Sequence, residues 1–322
     1  MENISKINII NIFLMLVSFG FAFLFPFELF LIMYAVLGPL HYLTEINWLH
    51  KKNYFTTQKN DYYIHVVLLF LITLALFTPL SYYLRKYLAV FIFIAFCSSF
   101  GMIYFKETKS KVKFNTITTI LSFLCFYTFE SHFNILFSMF LPTLIHVFIF
   151  TGLFILIGTL KVENRFGKCS LIIFIVCGIG LLIIPINYNF SIITEQIQNN
   201  YHSFEKLNQR VIILVNQFSS KVTTDIYFSN IGIQVMRFIA FAYTYHYFNW
   251  FSKTSIIQWH NTSLFKIIII IVLWIMSMVL YFYDYNLGLK WLYILSLAHV
   301  VLEFPLNFIS ILSLKYIFRN NC

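Results

Sequence analysis

Residues 265–283 read FKIIIIIVLWIMSMVLYFY, and after Lys266 not one position in this stretch carries a charge. At about 1.5 Å per residue a helix of this length matches the roughly 30 Å hydrocarbon layer of a bilayer. Strand-type alternation is absent, and each unpaired backbone group in hydrocarbon costs several kcal/mol, so the segment closes its hydrogen bonds internally, as a helix. Outward from it, apolar runs broken by charged or turn-forming residues predict further spans near residues 8–25, 27–49, 62–84, 87–105, 114–130, 134–160, 169–187, 231–251 and 289–314. The expected fold is all-α: a polytopic integral membrane helix bundle with about ten transmembrane helices, in a single membrane domain over residues 1–322.

Composition agrees. Of 322 residues 60% are hydrophobic and only 11% charged, where soluble domains run near a quarter charged. The 40 Phe and 21 Tyr carry no functional weight, since compositional bias alone supplies them. A net charge of +10 excludes little, but its placement in short loops is that of membrane orientation rather than of a nucleic-acid face. With a cytoplasmic N-terminus, 15 of the 22 Lys and Arg fall inside, from Lys6 through the Lys106–Lys113 group to Lys315 and Arg319. The outer segments hold Arg85, Lys86, Lys206, Arg210, Lys221, Arg237 and Lys290. Both termini are therefore expected in the cytoplasm, with a bacterial inner membrane as the location; Arg85 and Lys86 run against the rule. Cys97, Cys125, Cys169, Cys177 and Cys322 show no CxxC or Cys/His spacing, so neither a disulfide framework nor a zinc module is expected.

One polar insertion stands out, residues 188–230, where Glu195, Glu205, Lys206, Arg210, Lys221 and Asp225 alternate with Leu, Ile and Val at helical spacing. It predicts an external amphipathic helix, lying on the membrane or capping the bundle.

Ionisable groups at membrane depth cost roughly 2.5–3.5 kcal/mol on insertion scales, so each calls for a partner, a cavity or a cofactor. His41 and Glu45 lie four apart in Gly38-Pro39-Leu40-His41-Tyr42-Leu43-Thr44-Glu45, and His299 and Glu303 repeat the spacing in the last span. Each pair shares a helix face. His246 and His146 add two more imidazoles within spans, whereas His50, His65 and His260 are expected near the membrane surface and His132 and His202 in outer loops. Imidazole and carboxylate together suit iron, zinc or manganese in a bundle core.

These motifs bear a distant resemblance to the Brp/Blh membrane β-carotene 15,15'-dioxygenases. Gly38 to Glu45 is similar to that family's early Gly-x-Pro-His-Gly-x-x-Asp motif, and Ala298, His299 and Glu303 resemble its closing Pro-His-x-x-x-x-Asp. His246 stands where the second histidine of a His-x-x-x-His would, with Ala242 at the first; Ser99 replaces the histidine of an Ile-His-Phe-Gly motif. The resemblance implies a membrane-embedded non-haem iron oxygenase, or a related metalloenzyme, acting on a lipophilic substrate such as a carotenoid or polyprenyl lipid. Fe(II) would be held by His41, His146, His246 and His299, with Glu45 and Glu303 as direct ligands or as acceptors that orient the imidazoles.

Two other classes use the same residues differently. A proton-coupled transporter would run protons along the His and Glu set, and Pro39, Pro142 and Pro305 are expected to break the helices it would need, though no inverted repeat is visible. A lipid-linked glycan polymerase or acyltransferase would instead place its chemistry in the insertion, on His202, Glu205 and Arg210. No nucleic-acid partner is expected under any of the three.

Overall fold

The computed structural model describes residues 2–162, 164–185, 193–216 and 225–320. The 188–192 and 217–224 parts of the insertion, Lys221 among them, lie outside the described residues, as does Cys322. The described chain is helical, with no strand. In order come α1 (Glu2–Leu24), α2 (Pro26–Lys51), α3 (Tyr63–Phe77), α4 (Leu88–Tyr104) and α5 (Thr108–Asn134). A π-helical segment, Ile135–Phe150, then leads into α6 (Thr151–Lys161), followed by α7 (Arg165–Ile183). The insertion supplies α8 (Glu195–Tyr201) and α9 (Glu205–Asn216), and the chain closes with α10 (Asn230–Ser252), α11 (Leu264–Tyr283) and α12 (Tyr285–Asn320).

Among the described residues, seven helical stretches are long and apolar enough to cross a membrane. The expected segments map onto these with differences at three points. Residues 114–130 and 134–160 join in one stretch, Thr108–Lys161, kinked at Phe129. The helix α3 has only 15 residues, and α10 mixes Arg237, Gln234, His246 and Asn249 into its apolar sequence. The apolar side chains of α11 face outward, Ile268, Val272, Ile275 and Val279 among them, which water would penalise and hydrocarbon does not.

The prolines do not break their helices as the sequence suggests. Pro39 and Pro305 sit inside continuous α2 and α12, and Pro142 inside the π-helical segment. A proline frees one carbonyl, and neighbouring groups can satisfy it or the turn can widen, as a π-helix does.

The chain divides into two compact units, each described by itself. The first comprises Met1–His41 and Val147–Trp291. Its centre is α10, buried on nearly every side from Gly232 to Trp250, with α1 and α7 packed against it. Polar ties hold α1 to α10: Tyr245 and Ser252 both donate to Asn11 Oδ1, at 3.2 and 2.8 Å. Arg237, expected in an outer segment, instead lies inside α10 at 1% exposure with its guanidinium 3.8 Å above the Phe23 ring. The amphipathic helices α8 and α9 bury Tyr201, Leu207, Val211 and Ile212, and Tyr201 meets Phe27 and Phe30 edge-on. Phe148 stacks on Phe174 and meets Phe238 edge-on, while a Cβ on Gly178 would come within 2.6 Å of it.

The second unit comprises Tyr42–His146 and Leu292–Cys322, with α4 packed between α3 and α5. A buried clasp ties α5 to the segment before α3. Lys111 donates to both Asp61 oxygens, at 2.8 and 2.7 Å, and to Thr57 Oγ1 at 2.8 Å, while Thr57 donates to Met102 O. Lys111 therefore leaves the set of surface cations that the charge count assumed.

Two stability tests follow from this packing. Gly178→Ala is expected to cost about 1–3 kcal/mol, because Phe148 is wedged between two rings and overpacked cores lose about that much. Asp61→Asn leaves Lys111 buried without its counter-charge, at a cost of about 3–5 kcal/mol. Thermal unfolding of the detergent-solubilised protein checks both.

Candidate metal centre

Helix α2 ends its part of the first unit at His41, and α10 carries His246 to meet it. Their Nε2 atoms are 3.0 Å apart and the rings stand nearly perpendicular. Both are buried, at 1% and 8% exposure. Tyr247 and Trp250, one helical turn of α10, wall the His41 ring at 5.4 Å centroid distances. On its far side His246 is fixed by Thr151, whose Oγ1 lies 2.9 Å from Nδ1.

A second pair belongs to the other unit. His146, the last residue of the π-helical segment to fall there, has its Nε2 3.1 Å from that of His299 on α12. Glu303 takes the far nitrogen: its Oε2 is 3.1 Å from His146 Nδ1, with both groups buried. Tyr42 stacks on the His299 ring at 4.1 Å and 21°. Glu45, at 3% exposure like Glu303, lies within electrostatic reach of it, so the two acids that the sequence set on different spans are neighbours in this unit.

His146 Nδ1 and Glu303 Oε2 meet as a close buried pair, and in each of the His146–His299, His41–His246 and Thr151–His246 contacts either atom can be the donor.

The donor set fits a metal ion. Two ligand nitrogens about 2.1 Å from one ion and at about right to tetrahedral angles are about 3.0–3.4 Å apart, and both pairs have that spacing. All four imidazoles offer a ligand atom. Metal-bound histidines characteristically give their other N–H to a carboxylate, hydroxyl or carbonyl, and Glu303 and Thr151 stand in those positions.

The remaining histidines have other roles. His65, expected at the membrane surface, is fully buried in α3: its Nε2 is 2.8 Å from Ser99 Oγ and 3.2 Å from Ala95 O. Ser99 in turn donates to Ala95 O, so this imidazole ties α3 to α4. His50 contacts Tyr54, exposed His202 pairs with Glu205 at 3.3 Å, and His132 and His260 are exposed. His132 and His202 lie in helical turns rather than loops. Thr151 and Tyr42 had no signal in the sequence. One existed for Thr151: it lies five residues after His146, which the i→i+5 bonding of a π-helix brings toward one face.

No protein-family model, curated protein or solved structure matches this chain.

Removing an orienting partner of a metal-bound histidine usually weakens metal affinity about 10–100-fold. Glu303→Ala is expected to show that loss for added metal, and Thr151→Val a smaller one, in competition titrations against a chelator of known affinity.

Proposed function

We propose that the chain is a membrane-embedded metalloenzyme, an oxygenase of lipophilic molecules, that holds Fe(II) through His41, His146, His246 and His299. The observation that carries the reading is the doubly held imidazole: His146 sits between Glu303 and His299, and His246 between Thr151 and His41. Nitrogens spaced at 3.0 and 3.1 Å serve equally as a hydrogen-bonded pair and as neighbouring ligands. The outer groups favour the second, because a carboxylate and a hydroxyl behind the rings are the kinds of partner that metal-bound imidazoles use. Four neutral imidazoles without thiolate suit iron, zinc or copper, and the likeness of Gly38–Glu45 and Ala298–Glu303 to the Brp/Blh motifs favours iron.

The chain's own residues then have distinct tasks. Glu303 and Thr151 stand behind His146 and His246, and Tyr42 and Trp250 limit ring rotation of His299 and His41. When bound, the ion supplies the redox chemistry that imidazoles and carboxylates lack, at a depth where apolar substrates dissolve and water is scarce. Ten spans with both termini in the cytoplasm remain the topology that the charge distribution supports.

The opposing reading is a proton path through the same His and Glu residues, which needs no ion. Metal analysis of the detergent-purified protein, prepared without chelator, separates them. About one equivalent of iron is expected, lost in a His41→Ala, His246→Ala, His299→Ala variant that still elutes as a single folded species. Absence of metal from both would overturn the oxygenase reading and leave the proton path.

A further inference from the structure

A series of touching rings runs through the first unit from His41 to the insertion. Tyr247 lies 5.4 Å from the His41 ring and 6.4 Å from Tyr243, centroid to centroid. Phe30 joins Tyr243 to Tyr201 at 5.0 and 5.4 Å, and Phe27 joins Tyr201 to Tyr227 at 5.2 and 5.3 Å. These are the separations of rings in contact. A tyrosine can give up an electron, whereas a phenylalanine is too hard to oxidise and serves only as a bridge. In a chain so rich in Phe and Tyr such contacts alone mean little, and the weight rests on what stands at the far end.

Tyr227, just before α10, donates its phenol proton to Glu205 Oε1 at 2.8 Å, with Gln198 O farther off at 3.4 Å. The other carboxylate oxygen, Oε2, is 3.3 Å from Nδ1 of His202, whose side chain is 79% exposed. Phenol, carboxylate and imidazole thus lead from a half-buried ring to solvent. Burial, and then the Glu205 carboxylate, push the Tyr227 phenol above its usual range, so the ring is protonated at rest and gives up an electron readily only together with its proton. Glu205 is in hydrogen-bond reach to take that proton. Tyr201, the preceding tyrosine, is fully buried and donates instead to the neutral amide of Asn208, a far weaker base. An oxidised state therefore settles on Tyr227.

We propose that Tyr227 is a redox-active tyrosine, joined through Glu205 and His202 to solvent protons and through the ring series to the first histidine pair. In one step Tyr227 gives one electron along the rings toward an oxidised centre and its proton to Glu205, which leaves a neutral phenoxyl radical. A soluble reductant of the ascorbate or hydroquinone class returns one electron, and one proton comes back through His202 and Glu205. Oxidising equivalents that find no substrate are thereby drained from the buried rings beside His41. The link to the centre rests on the metal reading proposed above; the redox character of Tyr227 does not.

The test has a metal-free and an iron-loaded arm, both on the full chain in phosphatidylcholine nanodiscs and both read by electron paramagnetic resonance of frozen samples. In the first, chelator-stripped protein is flash-oxidised with tris(bipyridine)ruthenium and persulfate. A tyrosyl signal is expected that Tyr227→Phe removes, that forms more slowly in D2O, and that the isosteric Glu205→Gln lowers about tenfold through loss of the charged acceptor. In the second, Fe(II)-loaded protein is mixed with hydrogen peroxide. The same signal is expected, and Tyr243→Phe is expected to lower it several-fold with iron content unchanged. A signal indifferent to Tyr227→Phe or to Glu205→Gln would overturn the redox role, and an iron-loaded signal indifferent to Tyr243→Phe would overturn the route. Should the chain take up no iron, that failure falls on the metal reading, and the metal-free arm alone decides Tyr227.

Discussion

Hydrocarbon returns no hydrogen bonds, and that constraint orders this protein from backbone to site. It forces every apolar segment into helix and sends the side chains of α11 outward. Each polar group that remains at depth must find a protein partner. Asn11 draws Tyr245 and Ser252, Asp61 draws Lys111, His65 draws Ser99, and the four site histidines are taken up in pairs. In water most of these contacts would add little; here each one fixes which helix faces may meet.

The helical class was legible because a long uncharged run has one stable outcome in lipid, and each expected segment holds helix among the described residues, the one at 62–84 interrupted at residues 78–80. What sequence could not supply was the use made of single polar residues. Lys111 and Arg237 look alike to a charge count, as loop cations that orient the chain, yet one is bound by Asp61 and the other lies over Phe23. His65 sits near the start of its segment, where exposure is the natural expectation, and is buried because α3 begins only two residues earlier and turns that face toward α4. Each placement depends on a partner dozens or hundreds of positions away.

The candidate site was readable to the level of its histidines. Spacing of four put His41 with Glu45 and His299 with Glu303 on common faces, but Glu303 lies against His146 Nδ1, a nitrogen of another helical segment. Periodicity reports which residues share a face, not which neighbour they address. The prolines carried a second false signal. They mark places where a carbonyl is released, and the π-helical turn around Pro142 absorbs the change without a break.

Two of the imidazoles are backed by unlike groups, a carboxylate behind His146 and a hydroxyl behind His246. An ionised carboxylate can only accept from a ring N–H, whereas a hydroxyl can accept or donate. The surroundings of His146 therefore offer one hydrogen-bonding sense and those of His246 offer both, so the two rings differ in how firmly their neighbours choose where the proton sits.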